Sequence, residues 1–299
     1  MRFRRSSIVH YALSCLVAFA LFAGMALAQA PETNSAATLR AKYDQLRDRL
    51  ERNPFGRPLY LASSEGSNEL YGDVYAVVNF PFTQVEEGFR EAANWCDVLI
   101  LPFNTKHCNA GKDGTTLSVR IGRKADQPAE DAYPIDFKYR VAARTPDYLR
   151  IVLRADVGPL GTRDYQIVLE ATPLEESRTF IRLGYSYGFG VMSRLAMQAY
   201  LSTVGASKVG FTVAGHDEQG RPRYVGGMLG ATERNTMRYF LAIDAYLTSL
   251  TTPEGSRVEK RLNEWFAASE KYPRQLHEME RGEYLAMKRK ETKRLHAAL

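Results

Sequence analysis

After its first 28 residues the chain has no apolar run long enough to cross a bilayer as a helix, which takes about 20 residues. It has only three cysteines and five histidines in 299 residues. His107, His216, His277 and His296 are scattered, and no two stand four apart as a metal-binding helix requires, so no metal site is expected. No serine occupies a nucleophile elbow, since Gly66-Ser67 lacks the second flanking glycine. Gly188-Phe189-Gly190 lacks the third glycine of a dinucleotide loop, and it follows antiparallel strands where that loop needs parallel ones. There is no internal repeat and no low-complexity tract. These gaps leave no expected cofactor, and they argue against metal-dependent, nucleotide-dependent and serine-hydrolase chemistry.

The first 28 residues read as a leader. Arg2, Arg4 and Arg5 form a basic start, Ile8 to Leu27 is apolar, and Ala26-Leu27-Ala28 fits the small-x-small rule for cleavage after Ala28. A retained membrane anchor is the alternative. Cleavage removes three arginines and lowers the formal net charge from +6 to +3, so the high isoelectric point is weak ground for a nucleic-acid partner, and none is expected. The expected location is the periplasm or the exterior. Cleavage leaves Cys96 and Cys108, which in an oxidising compartment read as a disulfide. Two buried thiols, or a metal pair helped by His107, are the alternatives.

The chain is rich in alternation. Ile135-Phe137-Tyr139-Val141, Leu149-Ile151-Leu153-Ala155-Val157, Tyr165-Ile167-Leu169 and Ile181-Leu183-Tyr185 each place every second apolar residue on one side. Connections such as Thr145-Pro146-Asp147 and Gly158-Pro159-Leu160-Gly161 are too short for anything but hairpins. The result is an antiparallel sheet with one wet face and one covered face. Earlier strands are expected at 59–61, 71–80 and 117–121, and another short one at 208–213.

Helices follow from a 3.6-residue period. Leu39, Tyr43, Leu46 and Leu50 mark an N-terminal helix. Thr83 with Glu86 forms a capping box for a helix carrying Val85, Phe89, Ala92 and Trp95. Others are expected at 191–204, stopped by Gly205, and at 232–250. Ser256 with Glu259 caps a further one, and Pro273 starts a charged helix that runs to the end. Asp244 interrupts an apolar face and reads as a salt-bridged structural acid. Lys288, Arg289, Lys290, Lys293 and Arg294 read as a solvated helix end.

The fold class is therefore α+β. In order of elements, from about Tyr60 to Leu250, the chain resembles the START-like, or SRPBCC, superfamily, whose helix-grip fold curls an antiparallel sheet around a C-terminal helix. Tyr71-Gly72-Asp73-Val74-Tyr75-Ala76-Val77-Val78-Asn79-Phe80-Pro81-Phe82 and Asn94-Trp95-Cys96-Asp97-Val98-Leu99-Ile100-Leu101 strengthen the resemblance, and the latter resembles an exported proteobacterial branch of the superfamily. The division is a leader at 1–28, an N-terminal helix region at 29–56, the START-like domain at 57–250 and a helical extension at 251–299.

The resemblance implies a cavity between sheet and helix for a lipid or other hydrophobic molecule, and it carries no universal catalytic residues. Tyr139, Tyr165 and Tyr185 on the covered face, with Met192 and Tyr200 on the following helix, are the cavity candidates. The alternative is that the tyrosines are structural hydroxyls that reach water at the sheet edge. The first reading is a periplasmic binding or carrier protein rather than an enzyme. A tyrosine-lined cyclase or hydrolase is the second, and a solid-core interaction module the third. Membrane or protein contacts are expected, if anywhere, at the basic sheet face of Arg120, Lys138, Arg140, Arg150 and Arg154, or at the C-terminal helices.

Overall fold

The computed structural model describes residues 35–203 and 207–297. The leader with its cut after Ala28, and Gly205 as a helix stop, lie outside the described residues. In chain order the elements are α1 (Ala36–Glu51), β1 (Leu59–Glu65), β2 (Glu69–Val78), α2 (Phe82–Phe89) and α3 (Ala92–Leu99). β3 (Thr105–Ala110), β4 (Thr116–Ile121), β5 (Tyr133–Thr145), β6 (Tyr148–Val157), β7 (Arg163–Glu175) and β8 (Arg178–Gly188) follow. The chain continues through α4 (Val191–Thr203), β9 (Val213–His216), β10 (Pro222–Tyr224) and α5 (Gly227–Leu250), and ends with α6 (Arg257–Ser269), α7 (Pro273–Leu276) and α8 (Arg281–Ala297).

β1 to β8 form an open sheet, antiparallel throughout, in the order β1-β2-β8-β7-β6-β5-β4-β3. Successive hairpins explain most neighbours; the pairing of β2 with β8 brings the two ends of the chain segment together. Alternation sets the inner face. Phe137 stands opposite Leu117, Ile135 opposite Val119 and Tyr139 opposite Leu153, while Asp136, Lys138 and Arg140 point outward and are exposed. α5, 24 residues long, lies across that inner face against β1, β2 and β8 and is the gripped helix. Gly72 permits this close approach: a Cβ there would fall 2.3 Å from the Thr236 hydroxyl of α5.

The outer face is not wet along its whole width. Leu39, Leu46 and Leu50 of α1 pack over Val77, Tyr148 and Phe180, making a second, smaller apolar layer. Beyond α1 the outer face is charged, with Lys138 paired to Asp156 at 3.2 Å and Arg150 to Glu170 at 3.9 Å.

The C-terminal helices share the main core. Trp265, Phe266 and Tyr284 are buried together, and the rings of Trp265 and Tyr284 lie 5.0 and 5.3 Å from that of Phe103. Trp265 Nε1 donates to the Arg238 carbonyl at 3.1 Å, and the Tyr284 hydroxyl to that of Leu101 at 3.1 Å.

Several local expectations are corrected. The helix expected through Val85 and Trp95 is two helices, broken where Glu91 takes extended backbone, although all four apolar residues stay buried. Neither capping box forms: Pro81 is the N-cap of α2 and Glu86 engages Arg144, while Ser256 makes no capping bond and Glu259 engages Arg289. The strand expected at 208–213 lies instead at 213–216, in a two-stranded hairpin whose turn holds Asp217 and Gly220. The helix begun by Pro273 stops at Leu276, where His277 turns to extended backbone, and α8 starts anew at Arg281. Asp244 is ion-paired with Arg57 at 2.9 Å, as its position in the apolar face suggests.

Lys288 is the largest departure. It is 0% exposed, as are Lys106 and Glu291. Lys106 Nζ donates to Glu291 at 3.1 Å and to the Phe103 and Ala125 carbonyls, each at 2.9 Å. Lys288 Nζ donates to Glu291 at 2.7 Å and to the Thr105 carbonyl at 2.8 Å. This buried triad ties α8 to β3.

Candidate functional site

Between the sheet and α5 the packing leaves two adjoining cavities. The outer one, about 220 Å³, is walled by Tyr165, Tyr185 and Tyr187 from the sheet, by Arg234, Asn235 and Arg238 from α5, and by Met197 and Leu201 from α4. Arg123 and Lys124, from the loop after β4, complete that wall. The inner one, about 120 Å³, is walled by Leu99, Val119, Ile121, Ile135 and Phe137, with Tyr239 of α5. The two share Asn104, Tyr165, Tyr185 and Asn235.

The residues reach this place by the periodicity of their elements. Tyr185 and Tyr187 are two apart on β8 and so face the same side. Residues 231, 234, 235 and 238 recur at helical spacing and form one stripe of α5. The rings of Tyr165 and Tyr187 stack at 5.3 Å with planes 15° apart, and Tyr185 packs against Tyr239 at 5.5 Å. The Tyr165 hydroxyl bonds with Thr162 Oγ1 at 2.8 Å, and Asn235 bonds the Tyr185 hydroxyl.

Burial raises the tyrosine pKa values: Tyr187 and Tyr239 to about 12, and Tyr165 and Tyr185 higher. These phenols stay protonated near neutral pH and can act there as hydrogen-bond donors. Lys124 is pushed down to about 8, chiefly by burial and then by Arg238, against the pull of Glu278. Glu278 accepts from Lys124 at 2.6 Å and from Arg238, and lies 3.7 Å from Lys208. Burial alone would raise its pKa, but Arg238 and Lys124 outweigh that and hold it below the usual carboxylate range. Among the described residues that line the cavities there is no aspartate, glutamate or histidine, so these residues offer donors, rings and positive charge but no ready proton acceptor. Among the described residues, no three of His, Cys, Asp and Glu gather as metal ligands.

Of the five sequence candidates, Tyr165 and Tyr185 stand together in the cavity wall. Tyr139 lies apart: its hydroxyl donates to the Phe89 carbonyl at 2.8 Å and holds β5 to the end of α2. Met192 is 76% exposed and does not line the cavity. Five residues before Met197, it lies about 140° round the helix from the side that faces inward. The side chain of Tyr200 lies outside the described residues. The sequence reading missed Tyr187, Asn104, Asn235, Tyr239 and the four cations. The stripe on α5 was detectable by its spacing, but the apolar stripe beside it was the stronger signal.

Cys96 and Cys108 form a disulfide, with Cα atoms 5.2 Å apart, joining α3 to β3. Among the described residues no helix is long and apolar enough to cross a membrane.

No family model matches the chain, and no curated protein does. Solved structures that resemble it include a conserved protein from Geobacillus kaustophilus, 12% identical, with 60% of this chain and 95% of that one covered and a TM-score of 0.34. Norcoclaurine synthase from Thalictrum flavum, as a point mutant in complex with a transition-state analogue, is 13% identical over 48% of this chain and 86% of its own, with a TM-score of 0.33. A hypothetical protein from Helicobacter pylori is 13% identical over 44% and 78%, with a TM-score of 0.30.

Proposed function

We propose that this chain is an exported protein of the START-like superfamily that binds a small, largely apolar molecule between its sheet and α5. The observation that carries the reading is the paired cavity walled by Tyr165, Tyr185 and Tyr187, whose inner chamber sets Leu99, Val119, Ile121, Ile135 and Phe137 beside Asn104, Thr105 and Asn235. A few placed donors in an otherwise apolar recess are what small-molecule sites share. Among the described lining residues none carries a carboxylate or imidazole, which favours holding a molecule over transforming it. The volumes lie below the roughly 300–1,000 Å³ of drug-sized pockets, which suits a one- or two-ring molecule or a short acyl chain better than a two-chain lipid. The leader and the disulfide support a periplasmic or extracellular place of work.

Calorimetric titration of the secreted chain with 2-naphthol, a neutral two-ring probe, tests the site. Saturable binding is expected, and Ala231→Trp, which puts an indole into the outer cavity, should abolish it without changing the circular dichroism spectrum. Absence of binding to the unaltered chain, or equal binding to the Trp variant, would overturn the reading.

A further inference from the structure

We propose that the chain works as a two-fold symmetric dimer, two copies joined through the outer face of α4, and that this contact braces the helix that walls the outer chamber. The dimer stands on that face alone; its tie to the chamber rests on the ligand-binding reading.

α4 has two unlike sides. Met197 and Leu201 are half-buried and border the outer chamber. On the other side Met192, Leu195, Ala196 and Ala199 are exposed and recur at three and four residues, so they form one stripe. Val191, Met192 and Leu195 are 75%, 76% and 55% exposed. They are three of the eight large apolar side chains exposed among the described residues, all within five residues of chain. The one charged residue of α4, Arg194, is turned aside and donates to Glu65 at 3.2 Å and to the Ser67 carbonyl at 3.0 Å. The stripe therefore presents apolar surface without charge, the mark of a surface that is covered in use.

Charge, shape and area each favour a second copy as the cover. A helix that lies on a bilayer carries lysine and arginine along its polar side, whereas α4 has a single arginine already held by a carboxylate. Around the base of α4 the charges come in both signs, Arg194 with Glu65 and, at the end of the turn that Ser193 touches, Arg163 with Asp164 at 3.6 Å. A two-fold axis sets the cations of one copy near the acids of the other, so such a rim is complementary to itself. Ala196 and Ala199 are small and let two helices approach, while Met192 and Leu195 fill the space beside them. A 13-residue helix presents a face about 20 Å long. Leu160, 55% exposed, extends it through the adjoining turn, where Ser193 Oγ donates to the Gly161 carbonyl at 2.6 Å. Such a face reaches the lower end of the about 1,200–2,000 Å² that standard interfaces bury, which suits a dimer of modest affinity. Ser193 and Arg194 fasten the first turn of α4 from within; a partner across the stripe holds the turns that carry Met197 and Leu201 over the chamber.

Sedimentation velocity of the full chain secreted with its own leader, across about 1–100 µM, should show a passage from monomer to dimer. Leu195→Glu, or Met192→Glu, should keep the chain monomeric throughout with an unchanged circular dichroism spectrum. Because the axis sets each stripe against its own counterpart, Ala196→Cys should cross-link to itself under mild oxidation, and Lys138→Cys on the outer sheet face should not. 2-Naphthol should bind Leu195→Glu at least three-fold more weakly, although Leu195 does not border the chamber. A chain that stays monomeric, a dimer that both glutamate variants leave intact, or equal cross-linking at the two cysteine positions overturns the dimer. So does flotation of a monomer on phosphatidylcholine vesicles that Leu195→Glu abolishes, which would assign the face to a bilayer. A dimer whose loss leaves 2-naphthol affinity unchanged overturns the brace. If 2-naphthol binds neither form, the ligand-binding reading fails, and sedimentation and cross-linking still decide the dimer.

Discussion

A lysine with no exposed surface has to be held by its surroundings, and Lys288 is held by Glu291 and a backbone carbonyl, against the repulsion of the nearby Lys106. Burial pushes its pKa down to about 8, only partly offset by Glu291. In the unfolded chain it keeps its proton to above pH 10. Between these values the unfolded state binds more protons, so stability rises with pH there, and Lys124 shifts in the same direction. Above pH 10 the buried tyrosines reverse the trend, because they ionise first in the unfolded chain. The urea midpoint should therefore climb from pH 8 to 10 and then fall, and Lys288→Met should flatten the climb. A flat profile in the unaltered chain would contradict the assignment. In the sequence Lys288 sits inside a run of cations, and the run suggested solvent. Tyr284, Lys288, Glu291 and Leu295 in fact recur at three and four residues and form a buried stripe, but a lysine on an apolar stripe shows its burial only once its carboxylate partner and the strand beneath are in place.

The elements were legible to different degrees. Strands β5 to β8 announce themselves because each has one covered face, and period-2 alternation records that directly. Helix breaks do not announce themselves. α2 and α3 keep one apolar spacing across the extended residue Glu91, and no residue there forces a stop. The cover of α1 over Phe180 and Val77 was legible only as a helix in search of a surface. Two cavity tyrosines followed from alternation, whereas the cations on α5 and the loop after β4 meet only through tertiary folding. The disulfide stabilises at this same scale: it closes a sequence separation of 12 residues between α3 and β3, with both cysteines buried. Replacing both cysteines by alanine should lower the unfolding free energy by about 3 kcal/mol on the chain-entropy account, measured by chemical denaturation. A loss well under 1 kcal/mol would mean that packing alone fixes this junction.

At the scale of the molecule, the helices after Leu250 are part of the core they close. Phe103 is covered by Trp265 and Tyr284, and removing large buried aromatics costs about 3–5 kcal/mol each against a total stability of about 5–15 kcal/mol. A chain ending at Leu250 should therefore lose its cooperative thermal transition and bind apolar dyes. A soluble, two-state fragment would show that residues up to Leu250 fold alone.

Among the described residues the sheet stays open, and β1 and β3 each have one strand neighbour there. An unpaired strand edge invites a strand from another copy to add on. At β3 that invitation is partly withdrawn. α8 lies against the strand, and Lys288 already occupies the Thr105 carbonyl, so a passing chain meets a helix and an engaged acceptor at that point. The lysine that fastens the last helix thus also serves as a guard against edge-to-edge polymerisation.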